Sequence, residues 1–343
     1  MEVRQEIVDT INGQKIEKYT LINDNDIRVG LLTFGATWQE FLIPDGNGGH
    51  KNVIIGFDKP SVYVNDTLCA GQSIGRVAGR IDGGKAVING EKIQLPQTEK
   101  GNCHHGGLQG FHQQVWKAFV EAGKNALTVV MVYDAKESVD QFPGDMQVEV
   151  RFTLNNANRF TIAYTGKNAT KATLFNPTNH AYFNLGERQD LSRHTFTVEA
   201  DTYLETRDDL VPTGKILNVD QTAYDFRKGQ NLGEAIEKTG GLDDAFIVKG
   251  SLDKPCGVLT DEESGDSVSI YSNRNALVVY SMGGIPDNIY PARDKGAAAK
   301  EFEAVALEAQ FLPDAINHDG FGDITLLPNE EKTYTIAFEY HRG

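Results

Sequence analysis

The sequence predicts an all-β protein of antiparallel strands, arranged as a two-layer sandwich or as a closed barrel. Three observations lead to this prediction. Many short segments alternate apolar and polar residues or are rich in β-branched residues, which is typical of strands. Gly and Asn separate these segments throughout the chain, as turn residues do. Segments with helical periodicity are scarce. Folds of this class usually bind ligands on loops or on a concave sheet face.

The first half of the chain contains one clear hairpin and a run of neighbouring strands. Residues 86–93, AVINGEKI, place Asn89-Gly90 between two apolar-bearing arms, which is the strongest short hairpin signal. Residues 127–133 are rich in β-branched residues. Every second residue is apolar in 146–154, and the same alternation returns in 160–166 after a short turn. These last two segments are therefore expected to pair as successive strands.

The second half adds three strands, one short helix and one ambiguous segment. Strands are expected at 268–272, 276–281 and 334–340, because these segments are apolar and rich in β-branched and aromatic residues. Residues 231–238, NLGEAIEK, are consistent with a short helix. Residues 296–310 favour a helix by their Ala, Glu and Lys content, although VALEAQF within them also suits a buried strand.

Composition and charge limit the classes of protein and partner. The 343 residues include 33 basic and 48 acidic ones, a net charge of −15, which disfavours binding to nucleic acid and to anionic membranes. Three widely spaced cysteines do not suggest a disulfide framework. The N-terminus lacks the apolar core of a signal peptide, and no apolar run approaches the roughly 18 residues of a membrane span. We therefore expect a cytoplasmic protein with a small-molecule partner.

Several kinds of active site are poorly supported by the motifs. His104, His105 and His112 are close in sequence, but their spacing matches no familiar zinc pattern, so no metal site is predicted. The chain has no GxSxG elbow and no cysteine with reactive-type flanking residues. Gly75 and Gly79 are not followed by the GK[ST] of a phosphate loop.

The remaining candidates are side chains suited to acid–base work on a neutral polar ligand. Glu308 lies between apolar neighbours in VALEAQF, where an acidic residue is costly to bury without a partner. His180, in NPTNHAYFNL, can donate or accept a proton at cellular pH. Each candidate also has a purely structural interpretation: a solvent-facing or paired carboxylate, a turn or loop histidine, a salt-bridging arginine, or an Asx turn. The other candidates of this kind are Arg80, His105, Asp243 and Asp244.

Taken together and in order, the motifs resemble the aldose 1-epimerase (galactose mutarotase) family along nearly the whole chain. Any single motif is weak evidence, NPTNHAYFNL is fairly specific, and the ordered set is strongly specific. The resemblance implies one domain spanning 1–343, a large antiparallel β-sandwich with a concave sugar-binding face, and a strand at VALEAQF. The motifs are TFGATWQEFLIPD (33–45), NVIIGFD (52–58), GRVAGRI (75–81), HHGG (104–107), FPG (142–144), NPTNHAYFNL (176–185), YDFR (224–227), GLDDAF (241–246), LEAQ (307–310) and LLPNEEKTYTIAFEY (326–340).

The resemblance also implies roles for individual residues. His180 matches the family's catalytic acid and Glu308 its catalytic base. The residues that match substrate ligands, or lie beside them in the motifs, are Arg80, His105, Asp243, Tyr182 and Gly79.

Four departures from the family's usual residues put the substrate preference in doubt. Gly79 stands where asparagine is frequent, Asp244 where histidine is frequent, and His104 where an apolar residue is usual. Val278 and Val279 occupy a strand on which many members carry a glutamine. The proposed acid and base are unaffected by these changes.

The implied reaction interconverts the α and β anomers of a hexose such as galactose or glucose and needs no cofactor. Ring opening requires removal of a proton from the anomeric hydroxyl and delivery of one to the ring oxygen. We expect Glu308 and His180 to perform these steps from opposite sides of the C1–O5 unit.

Four alternatives remain open at this point. They are an epimerase acting on maltose, an epimerase acting on a hexose phosphate, a non-catalytic sugar-binding protein, and a glycoside hydrolase using Glu308 and Asp243. A monomer or a homodimer is expected.

Overall fold

Antiparallel sheets dominate the computed structural model, which describes residues 1–286 and 288–343. Strands within those residues are numbered along the chain from β1 to β28. The N-terminal sheet is a five-stranded meander, and Asn12-Gly13 forms its first turn. Its strands, in spatial order, are β1 (Glu2–Ile11), β2 (Gln14–Ile22), β3 (Arg28–Leu32), β4 (Thr37–Pro44) and β5 (His50–Asn52).

The largest sheet has nine strands and forms one layer of the molecule. It contains the two successive strands predicted at 146–154 and 160–166, and the second of them pairs with the strand predicted at 334–340. Its strands, in spatial order, are β11 (Lys117–Ala122), β12 (Ala126–Ala135), β13 (Met146–Asn155), β14 (Arg159–Lys167), β28 (Lys332–His341), β24 (Ser267–Ser272), β23 (Gly257–Asp261), β18 (His194–Val198) and β21 (Gln230–Asn231).

A six-stranded sheet carries much of the candidate site. In spatial order its strands are β17 (Tyr182–Phe183), β26 (Val305–Gln310), β25 (Ala276–Tyr280), β22 (Asp243–Ile247), β19 (Thr202–Thr206) and β20 (Pro212–Asn218).

Short paired strands and a few helical turns complete the described residues. Two α-helices, α1 (Glu137–Asp140) and α2 (Leu232–Thr239), and five short 3₁₀ turns are present among them, and no helix has the length and apolar content to span a bilayer. The 3₁₀ turns are Pro60–Asn65, Asp82–Gly84, Phe111–Gln113, Ala292–Asp294 and Ala315–Asn317. The paired strands are β6 (Ser73–Ile74) with β16 (Thr178–Asn179), β7 (Arg80–Ile81) with β10 (Cys103–His104), β8 (Lys85–Ile88) with β9 (Glu91–Gln94), and β15 (Thr173–Leu174) with β27 (Thr325–Leu326).

One apolar core joins the three large sheets. Trp38 of β4 illustrates this, because its ring packs against Phe160 of β14, Phe338 of β28 and Phe183 of β17. Along β13 buried and partly exposed residues alternate without a break, as expected for a strand with one face on the core. The predicted all-β, antiparallel sandwich class is confirmed.

The individual strand predictions are also confirmed, and the ambiguous segment is resolved. Residues 305–310 form β26, although 296–310 favoured a helix by composition. This strand is hydrogen-bonded to β17 on one side and β25 on the other, and all six residues are buried. Pairing and burial therefore override the local propensity. The predicted helix is α2, in which the Asn231 side chain accepts a hydrogen bond from the Glu234 N–H.

Candidate functional site

A concave hollow of about 430 Å³ opens on the face of the six-stranded sheet that points away from the central core. This volume is in the range of small-molecule sites. All seven residues predicted for the site line it: Gly79, Arg80, His105, His180, Tyr182, Asp243 and Glu308.

Strand alternation explains why Glu308 faces the hollow. On β26, Val305, Leu307 and Ala309 belong to the central core. The alternate residues Glu308 and Gln310 point to the opposite face and line the hollow. A carboxylate in an apolar strand is therefore aimed at a ligand-sized space rather than into the core.

The segment that carries His180 is tied to its neighbours through its polar side chains. The Thr178 hydroxyl donates to the Ala309 carbonyl at 2.9 Å, and the Asn179 amide donates to the Gly71 carbonyl at 2.8 Å. Asn176 accepts a hydrogen bond from the Phe311 N–H at 2.9 Å. These bonds fasten the segment to the strand of Glu308 and to the 71–72 loop. The polar residues of this motif thus hold the imidazole in place.

His180 and Glu308 are in direct contact. The His180 Nε2 and Glu308 Oε1 atoms lie 3.3 Å apart, and the two side chains are 6% and 5% exposed. The expectation that they would face each other from opposite sides of the C1–O5 unit is wrong, because they lie side by side on one wall. O1 and O5 of a pyranose are bonded to the same carbon, so two adjacent groups can serve both oxygens.

Burial acts on both members of this pair in the same sense, since it disfavours charge. It raises the pKa of Glu308 to about 8, with the nearby Asp243 adding to the rise and Arg80 opposing it. It lowers the pKa of His180 to about 4. Near neutral pH the pair therefore holds one proton in total. Either group can carry that proton across the 3.3 Å contact.

Two buried atoms of the pair are unsatisfied. His180 Nδ1 and Glu308 Oε2 are buried and have no hydrogen-bond partner among the residues that the structure describes. Gln310 Oε1 lies on the same face of β26, and it too is buried without a hydrogen-bond partner among the described residues. Buried polar atoms are normally paired, so this cluster has the chemistry of a site that is completed by a polar ligand.

His105 is held as a hydrogen-bond donor toward the hollow. Its Nδ1 accepts the Gly79 N–H at 3.2 Å, so the neutral ring carries its proton on Nε2. Burial keeps the pKa of His105 well below its ordinary value, with the neighbouring His104 adding to the effect. Gly79 adopts a positive φ of 72°, and a Cβ there would lie 3.3 Å from the Gln310 amide nitrogen and from the Pro313 side chain. Glycine suits both the positive φ and the limited space, because it has no Cβ.

Arg80 is oriented by a residue that the sequence analysis missed. Its guanidinium binds Glu99 through two hydrogen bonds of 2.6 and 3.0 Å. Burial is the largest single effect and raises the pKa of Glu99, but the Arg80 hydrogen bonds together with the charges of His104, Arg80 and Lys100 leave that pKa lowered. Pairing of β7 with β10 sets Arg80 opposite His104, whose ring lies 3.7 Å from that of His105. Glu99 stands in a polar turn, QTEKGN, where only the fold reveals its partner.

Tyr182 and Asp243 have different environments. The Tyr182 hydroxyl donates to the Leu68 carbonyl at 3.0 Å, and its ring lies 4.9 Å from that of His180. The Tyr182 ring therefore forms part of the wall of the hollow beside the histidine, and its contact with a substrate stays a prediction. Asp243, on β22, lines the hollow and is partly buried, and burial raises its pKa while Arg80 opposes the rise.

Three side chains in the hollow have donor atoms close enough together to bind one metal ion. The donor atoms of His105, His180 and Glu308 lie within 4.8 Å of one another, a spacing that a zinc-sized ion could bridge. This trio differs from the sequence cluster, since His112 does not line the hollow. The same groups suit sugar hydroxyls equally, and the absence of a metal requirement stays a prediction.

Known proteins resemble the chain over its full length. The sequence model of the aldose 1-epimerase family matches residues 17–339. An aldose 1-epimerase of Streptococcus thermophilus is 45% identical over 343 residues, which cover 99% of each chain. A maltose epimerase of Levilactobacillus brevis is 34% identical over 100% of each chain. The crystal structure of a galactose 1-epimerase from Lactobacillus acidophilus NCFM has a TM-score of 0.86 at 27% identity, covering 100% of this chain and 99% of that one. The chain belongs to the aldose 1-epimerase family.

Proposed function

We propose that the hollow is the active site of a mutarotase that interconverts the α and β anomers of a hexose such as galactose or glucose. Membership of the family makes the protein an isomerase that acts on an aldose. The observation that carries the assignment of the site is the contact between His180 and Glu308, each of which has one buried polar atom free for a ligand.

The pKa values place the shared proton on Glu308, and ring opening starts once that proton has moved to His180 across their contact. The Glu308 carboxylate takes the proton of the anomeric hydroxyl, and the O–H electrons form the carbonyl at C1. The C1–O5 bond breaks, and O5 receives the proton of the His180 imidazolium. A positioned acid and base each contribute about 10²–10⁴-fold to the rate of such a step.

Ring closure uses the same groups with their roles exchanged. After the aldehyde turns about the C1–C2 bond, His180 takes the proton of the O5 hydroxyl. O5 then attacks the other face of C1, and Glu308 returns its proton to O1. The pair ends the cycle with the proton on His180, as it began.

The other lining residues position the sugar. Arg80 held by Glu99, the Nε2–H of His105, the Asp243 carboxylate and the free Gln310 Oε1 supply both donors and acceptors for hydroxyls. Rotation about the C1–C2 bond requires that these groups bind the remote hydroxyls of the sugar more tightly than they bind the groups on C1.

Polarimetry on freshly dissolved α-glucose and α-galactose tests the proposal. We expect Glu308→Gln and His180→Asn each to lower kcat by about 10²–10⁴-fold. Glu303→Gln is the control, because Glu303 is a buried glutamate that does not line the hollow. A wild-type rate in either variant would remove that residue from the mechanism, and a wild-type protein inactive on every aldose would overturn the function.

A further inference from the structure

Arg274 is a buried arginine that does not line the hollow. It stands in the turn between β24 and β25, where the chain passes from the nine-stranded sheet to the six-stranded sheet. Its residue surface is 1% exposed, and its guanidinium lies 5.2 Å from the centre of the Tyr334 ring. Within residues 1–286 and 288–343 no carboxylate pairs with it, and its Nε atom has no hydrogen-bond partner. A cation in such a place costs stability that an apolar side chain would not.

Backbone carbonyls receive most of the hydrogen bonds that Arg274 donates. Nη2 donates to the carbonyl of Ala309 at 2.5 Å, and Nη1 donates to the carbonyl of Pro177. Nη1 also donates to Asn176 Oδ1 at 3.2 Å. Burial lowers the pKa of Arg274 to about 9, so the guanidinium is still protonated at neutral pH. One rigid, planar cation therefore bridges the two carbonyls.

The two bridged carbonyls belong to neighbours of the proposed acid and base. Ala309 follows Glu308 on β26, and Pro177 precedes His180 by three residues. Among the described residues, β17 pairs with only the first two residues of β26, which leaves the Glu308 end of that edge without a strand beside it. Arg274 supplies hydrogen bonds that a neighbouring strand would otherwise make. Its guanidinium thus links the segment of His180 directly to the strand of Glu308.

Neutral hydrogen bonds support the same link. The Thr178 hydroxyl donates to the Ala309 carbonyl that also accepts from Arg274. The Asn176 amide group exchanges two hydrogen bonds with the backbone of Phe311, at 2.9 and 3.2 Å. Hydrogen bonds from a charged donor are roughly twice as strong as neutral ones. Replacement of Arg274 should therefore loosen the link, while the neutral bonds keep the two segments together.

We propose that Arg274 is a positioning residue for the epimerase reaction, because its guanidinium sets the distance between His180 and Glu308. The proposal rests on the proposed function and adds to it a residue that touches neither the sugar nor the reacting atoms. The pair exchanges its proton across a contact of 3.3 Å, and a displacement of about 1 Å at such a site can cost about 10²-fold in rate. Arg80 and Asp243 lie on other strands and are not bonded to Arg274, so sugar binding should depend on it less.

Polarimetric kinetics with galactose test this role. Arg274→Lys keeps the charge, but one ammonium group cannot span both carbonyls as the planar guanidinium does. We expect kcat to fall by about tenfold or more and KM to change by less than about twofold. Arg293→Lys is the matched control and should keep a nearly wild-type kcat. Arg293 is also a largely buried arginine that donates to two carbonyls, those of Asn184 and Gly186, and it does not line the hollow.

The kinetic outcomes separate positioning from a purely structural role. Rates are measured below the unfolding transition of each variant, so that a loss of folded protein is not counted as a loss of kcat. A wild-type kcat in Arg274→Lys, an equal loss in Arg293→Lys, or a KM that rises as much as kcat falls would overturn the proposal. If Arg274→Lys does not fold, Arg274→Gln, which keeps one donor group, should show the same selective loss of kcat.

NMR spectra of the imidazole nitrogens separate this proposal from the proposed function. The Nε2 signal of His180, identified by its loss in His180→Asn, reports the contact with Glu308 without any turnover. We expect Arg274→Lys to shift this signal more than that of His194, a buried histidine that does not line the hollow. Such a shift in a protein that turns over no aldose would support the positioning role and overturn the function alone. An unshifted His180 signal would overturn the positioning role even in an active enzyme.

Discussion

Two buried pairs of acidic and basic side chains lie in different parts of the molecule, and they are built differently. Arg76 and Asp140 are 0% and 2% exposed and share two hydrogen bonds of 2.7 and 3.0 Å. The Nη1 group of Arg76 donates to the carbonyls of Pro143 and Gly144 and to the Thr173 hydroxyl. His180 and Glu308 are almost as deeply buried, yet within residues 1–286 and 288–343 each has one polar atom without a hydrogen-bond partner.

The difference is the one expected between a structural pair and a pair that we propose acts on a ligand. A buried charge is tolerated when its polar atoms have partners, as Nε, Nη1 and Nη2 of Arg76 do. An unsatisfied buried pair costs stability and is retained where a ligand supplies the missing partners. Burial alone would have assigned both pairs to the same category.

The largest expected effect on stability comes from breaking the satisfied pair. Asp140→Ala leaves the Arg76 guanidinium buried without its carboxylate, which should cost about 3–5 kcal/mol of unfolding free energy. Urea denaturation measures this loss. Polarimetry at a temperature where the variant is still folded should show nearly normal turnover, because neither residue lines the hollow. Normal stability of the variant would contradict this assignment.

The second prediction concerns the pH dependence of the unsatisfied pair. In the proposed mechanism the pair is active while it holds one proton, so kcat/KM should be highest between the pKa of His180, about 4, and the pKa of Glu308, about 8. Below the first value a second proton charges the imidazole and no base remains. Above the second value the pair has lost the proton that O5 must receive. A polarimetric profile with a single limb would show that only one of these groups titrates in the reaction.

A smaller effect, of opposite sign to that at Asp140, is expected when Glu308 is made neutral. The pKa of Glu308 is about 8 in the folded protein, above its ordinary value of 4.5, so its contribution to stability is greatest below 4.5 and falls as pH rises toward 8. Glu308→Gln removes this cost and should raise the free energy of unfolding at pH 8 by about 1–3 kcal/mol. Thermal unfolding at pH 4 should show little gain. An equal gain at both values would mean that ionisation is not the cause.

The smallest expected effect concerns the exposed edge of the site. Glu99→Gln weakens the hold on Arg80, which should raise KM for glucose about three- to tenfold while changing kcat less. Initial rates over a range of sugar concentrations separate the two constants. A change confined to kcat would assign Glu99 to the chemical step instead.

Residue patterns within short segments of the sequence predict many of the strands and the site residues. Alternation along 146–154 and 160–166 indicates β13 and β14, and Asn89-Gly90 indicates the hairpin of β8 and β9. All seven predicted site residues line one hollow because the ordered motifs encode a shared arrangement.

Other features depend on contacts between distant segments and leave little trace in the sequence. Glu99 approaches Arg80 only because β7 pairs with β10. The commitment of the Tyr182 hydroxyl to Leu68 depends on the 66–70 loop. The side-by-side placement of His180 and Glu308 follows from hydrogen bonds between the 176–179 segment and β26. No local periodicity reports such contacts.

The position of β28 has a consequence for biosynthesis. This strand follows the other strands along the chain, yet it lies inside the nine-stranded sheet, paired with β14 on one side and β24 on the other. Until it emerges from the ribosome, two strand edges stay open in the growing polypeptide. Open edges are sites of intermolecular pairing. The edges of β14 and β24 that β28 covers therefore stay open from their own synthesis until β28 is made, and chaperone shielding would matter throughout that interval.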